Sequence, residues 1–131
     1  MKKASILLLL AVAAFAIISL QSGASYLDDD FLDGLPLGNA LTALGLCAIA
    51  GTAVALSKPG TALRIASSAA LIMAATWLPI SVLMAGNAAL NFSNGRGDAW
   101  MVFTLTVGLI VSTVLIWASV AALFGLRKRG R

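Results

Sequence analysis

The sequence predicts an all-α integral membrane protein, a bundle of four transmembrane helices with both termini cytoplasmic. Three observations lead there. First, 60% of the 131 residues are apolar and only 11% charged, against about 45–50% and roughly 25% in a soluble domain. The mean hydropathy of +0.99 agrees. A water-soluble globule of this make-up would expose too much apolar surface, and disorder needs the opposite composition. Second, the apolar residues gather into four runs, each close to the about 20 residues that a helix needs to cross a bilayer. Third, eight of the nine basic residues flank one end of those runs, while all five acidic residues flank the other. The positive-inside rule makes the basic end cytoplasmic.

The whole chain, 1–131, reads as a single transmembrane domain. Span one covers 4–20 and follows Lys2 and Lys3. The same stretch, with Ser22-Gly23-Ala24 behind it, resembles a secretory signal peptide with a small-residue cleavage site. A retained signal anchor is the expected outcome. An outer loop, 21–36, carries Asp28, Asp29, Asp30 and Asp33. Span two covers 37–56. The inner turn 57–61 is short, so spans two and three form an antiparallel hairpin, and Thr61 is placed to cap the second helix. Span three, 62–85, holds Arg64 near its start and Pro79 near its end. Pro79 cannot donate to the carbonyl of Ala75, so a kink is expected there, relieved by Thr76 or Ser81. A second outer loop, 86–98, contains Asn91-Phe92-Ser93, Arg96-Gly97-Asp98 and an Asn94-Gly95 turn, with Asp98 expected to cap span four. Span four, 99–126, precedes Arg127, Lys128, Arg129 and Arg131.

Lipid tails are as apolar as leucine, so helices associate in a bilayer through close backbone approach and interhelical hydrogen bonds. Small residues four apart supply such faces. Span two offers Asn39, Ala43, Cys47, Gly51 and Ala55; span three offers Ala62, Ala66, Ala70 and Ala74; span four offers Thr104, Gly108 and Ser112. The expected packing positions are Ala43, Cys47, Gly51, Ala55, Ala66, Ala70, Gly108 and Ser112. Tyr26, Trp77, Trp100 and Trp117 are expected in aromatic belts at the two interfaces.

The reactive side chains are few. There is no histidine, no glutamate and one cysteine, which excludes an intrachain disulfide and a CxxC metal or redox motif. No span carries a central ionisable residue of the kind that proton-coupled transport uses. The lack of glutamate also excludes the small multidrug exporters, which depend on one in their first span. Asp29-Asp30-Phe31-Leu32-Asp33 fits the Asp-Asp-x-x-Asp pattern of prenyl-transferring enzymes, but the second acidic cluster of those enzymes is missing. Asp28, Asp29, Asp30 and Asp33 are the only candidates for a loose divalent-cation site, and a solvated loop whose charges keep it outside is the expected reading. No catalytic residue, metal site or cofactor is assigned.

The expected function is therefore non-enzymatic. The chain reads as an accessory or scaffolding subunit packing against partner helices, in a bacterial inner membrane. Its partners would be the lipid bilayer and a membrane protein or further copies of itself, with no nucleic acid. The alternative is an oligomeric small channel or carrier for a neutral or apolar solute, suggested by Pro79 and by Asn39, Thr42, Thr104, Thr106, Ser112 and Thr113.

Overall fold

A computed structural model describes residues 2–32, 35–84 and 96–129. Four helices account for most of them: α1 (Lys2–Gln21), α2 (Leu37–Leu56), α3 (Ala62–Leu83) and α4 (Arg96–Arg129). All four are long and apolar enough to cross a membrane. The bounds of α2 coincide with the expected span. α4 is longer than expected at both ends, and its basic C-terminal extension suits the helix dipole. Asp98 stands in its first turn rather than capping it, and the basic run 127–129 forms its last.

The first connection has more structure than a plain loop. Gly23, at φ +60°, turns the chain out of α1, a conformation that glycine adopts without steric cost. A 3-10 turn (Ser25–Asp28) follows, then two short antiparallel strands, β1 (Asp30–Leu32) and β2 (Leu35–Pro36). Asp30 pairs with Pro36 and Leu32 with Leu35. The Leu37 amide donates to the Asp29 carbonyl at 2.9 Å. This connection ties the end of α1 to the start of α2. The expected Asp33-Gly34 turn, the 91–93 sequon and the Asn94-Gly95 turn lie outside the described residues.

The second connection closes on local hydrogen bonds. Gly60 takes φ +77°. Thr61 caps α3 as expected, accepting from the Arg64 amide at 3.2 Å and donating to the Lys58 carbonyl at 2.7 Å. The Arg64 guanidinium reaches back to the Val54 carbonyl at 2.6 Å. It thereby satisfies one of the carbonyls that the end of α2 leaves without a helical partner.

α3 runs through Pro79 as one helix to Leu83. The Thr76 hydroxyl donates to the Met73 carbonyl at 3.0 Å, and Ser81 turns into the core. Neither hydroxyl serves Ala75.

Packing follows a rule different from the spacing of four. One buried stripe of α2 is Asn39, Ala43, Leu46, Ala50 and Ala53, continued by Ser57 just past its end; that of α3 is Leu63, Ser67, Ala70, Ala74, Trp77 and Ser81. On α4 it is Trp100, Val107, Val111, Val114 and Ala118, with half-buried Thr104 between the first two. All three stripes alternate steps of four and three residues. That is the average period of 3.5 that keeps helices in contact along a left-handed seam. Three helices therefore share one core.

α1 stands outside that seam and packs on a different face of α2. Its buried residues are Ala13, Ala16 and Ser19. A Cβ added at Gly45 would lie 3.2 Å from the Ala16 Cβ, and one added at Gly51 would lie 3.6 Å from the Leu9 methyls. The outward sides of α1 and α4 carry large apolar residues, among them Leu7, Phe15, Ile18, Leu105, Leu109 and Leu123.

Candidate functional site

The two ends of the bundle differ in chemistry. At the end near the first connection, polar groups from three helices meet. Asn39 of α2 donates from Nδ2 to the Ser81 Oγ of α3 at 3.3 Å. Trp100 of α4 donates from Nε1 to the same Oγ at 2.6 Å. One layer deeper, the Trp77 indole N–H donates to the Thr104 hydroxyl at 3.1 Å. The rings of Trp77 and Trp100 lie 6.1 Å apart and are tilted by 58°, within the range of a favourable aromatic pair. Trp77 is 0% and Trp100 8% exposed.

These two tryptophans correct the aromatic-belt expectation. A buried indole needs an acceptor for its N–H, and the hydroxyls of Ser81 and Thr104 provide it. Their bulk fills the space beside small neighbours such as Ala43 and Ala74. Tyr26 and Trp117 do lie exposed.

The other end is open. A cavity of about 670 Å³ lies between the end of α2, the start of α3 and the facing parts of α1 and α4. Ile6, Leu56, Leu63 and Trp117 line it together with Lys2 and Lys58, whose side chains are exposed.

The expected packing positions do not share a face. Ala43 and Ala70 are in the core, and Cys47 packs partly buried against it. Gly51 faces Leu9 of α1, Ala55 lines the cavity, and Ala66 is half-buried. Nothing lies within 4 Å of a Cβ added at Gly108, and Ser112 is exposed. The cause is geometric: residues four apart drift about 40° around a helix at each step. A stripe that begins at Asn39 facing α3 has rotated toward α1 by Gly51. Gly45, Trp77 and Ser81 were not singled out as packing positions from the sequence; the alternation of four and three would have found the last two.

The threonine hydroxyls of the spans are dispersed. Thr42 donates to Gly38 at 2.8 Å, Thr52 to Ala48 at 2.8 Å and Thr106 to Val102 at 2.6 Å, each a carbonyl of its own helix. Among the described residues no group of three or more histidine, cysteine, aspartate or glutamate side chains could hold a metal ion. Asp28 ends the 3-10 turn, Asp29 is exposed, Asp30 opens β1, and Asp33 lies outside the described residues. No family model, curated protein or solved structure matches the chain.

Proposed function

We propose that the protein is a non-enzymatic multi-pass membrane protein, an accessory or scaffolding subunit whose helices pack against those of a partner. Its four helices cross a bacterial inner membrane, with α1 retained as a signal anchor and both termini in the cytoplasm. The observation that carries this reading is the face of α4 around Gly108. The chain's own helices leave it open, and exposed Ser112 continues it one turn on. Small residues on such a face let a second helix approach closely in a bilayer, where bulky apolar residues offer no advantage over lipid. The interior supports the same reading. The hydroxyls of Ser81 and Thr104 are engaged between helices, as expected of a fixed scaffold. The close fit of Ala16 against Gly45 supports retention of α1.

Gly108→Leu tests the proposal. The variant is expected to keep the thermal stability of the isolated chain and to lose the stoichiometric chain that co-purifies in gentle detergent. A variant that retained every assembly would end the proposal. Exposed Ser112 and Thr113 on α4 favour one second reading, a solute path between identical protomers. A homo-oligomer that moves a neutral solute in reconstituted vesicles would establish it instead.

A further inference from the structure

The cavity at the basic end has a composition that selects its occupant. α1 and α4 each pack on α2, and the space between their ends is walled by Ile6, Leu56, Leu63 and Trp117. These walls are apolar, so a small hydrophilic ion gains nothing from most of the surface. Lys2 and Lys58 also line the space. The Arg64 guanidinium is already committed to the Val54 carbonyl, which leaves those two amines as the cationic lining among the described side chains. The run 127–129 continues α4 beyond the cavity and adds further positive charge to this end by sequence. Asp28, Asp29, Asp30 and Asp98 belong to segments at the opposite end. The volume of about 670 Å³ falls within the range of about 300–1,000 Å³ typical of small-ligand sites.

We infer that this cavity holds one anionic phospholipid of the surrounding leaflet, its phosphate on the amines of Lys2 and Lys58 and its acyl chain along Ile6, Leu56 and Trp117. Basic pockets between transmembrane helices suit such headgroups. A neutral lipid would leave the amines without a counter-charge, and free phosphate would leave the apolar walls against water. The inference shares with the proposed function the premises that the helices lie in a bilayer and that α1 is retained, since Lys2 and Ile6 belong to it; it needs no partner chain.

Trp117 is a reporter within the wall. The purified full chain is placed in detergent micelles doped with brominated-chain phosphatidylglycerol or brominated-chain phosphatidylcholine. Quenching is taken as the difference between the native chain and Trp117→Phe, since Trp77 and Trp100 sit buried at the far end. Phosphatidylglycerol is expected to reach half-quenching at a lower mole fraction, by about fivefold for each lysine. Lys2→Gln with Lys58→Gln removes that preference; both side chains are exposed, so the fold is kept. Inorganic phosphate does not relieve the quenching. Equal half-quenching by the two lipids overturns the inference, as does a preference that survives the double substitution. Relief by phosphate alone also overturns it, since the headgroup would then be the whole ligand. Because no second protein is present, none of these results bears on the partner-binding face of α4.

Discussion

Ser81 and Ser67 stand on the inward face of the same helix, about 21 Å apart at 1.5 Å per residue, and both are 0% exposed. Ser81 accepts hydrogen bonds from Trp100 and Asn39 and so joins three helices. The Ser67 hydroxyl has no partner among the described residues. One residue type at one depth of burial therefore makes different contributions. An interhelical hydrogen bond in a bilayer stabilises by about 0.6 kcal/mol on average, whereas a buried hydroxyl without a partner gains nothing and carries only a small cost, because it is equally far from water when the helices separate in lipid. Ser67 serves the core by its small volume, as alanine would. Ser81 serves it by its oxygen.

The contrast is broken most severely at its paired end. Trp77→Ala removes a fully buried ring and the donor to Thr104, and a loss of about 3–5 kcal/mol is expected. Reversible unfolding in mixed micelles measures it; a loss below about 1 kcal/mol would show that the aromatic layer is not structural. Ser81→Ala is expected to cost about 1–2 kcal/mol, because Trp100 and Asn39 lose that acceptor. A double-mutant cycle with Trp100→Phe isolates the bond, and a coupling energy near zero would contradict the three-helix joint. The smallest effect belongs to Ser67→Ala, expected within about 0.5 kcal/mol of the native chain or slightly stabilising. A clear destabilisation there would mean that the hydroxyl has a partner after all, and the comparison would lose its second term.

Much of the helical frame was legible in the sequence, because length and hydropathy are properties of segments. The bounds 37–56 of α2 and the Thr61 cap are examples. The ends of α4 were less so, since charged residues such as Arg96 and Arg129 can extend a helix beyond its apolar run. The core was harder to read. A spacing of four is right for one close contact between two helices. It is wrong for a seam of three, where a 3.5-residue period keeps the same face inward. An amphipathic indole points to the membrane interfaces by composition alone. Nothing local to Trp77 announces that Thr104, on another helix, will accept its proton. Gly45 serves α1 alone and falls between the other stripes, so no periodicity marks it.

The turn between α2 and α3 closes on bonds confined to residues 53–65. Contacts so short in sequence form quickly, before distant partners are available. The α2–α3 hairpin can therefore assemble during synthesis while α4 is still emerging. At that stage Ser81 and Trp77 still await the indole and hydroxyl that α4 brings. The last helix completes both bonds, and the pairing of Trp77 with Thr104 and of Trp100 with Ser81 fixes its register.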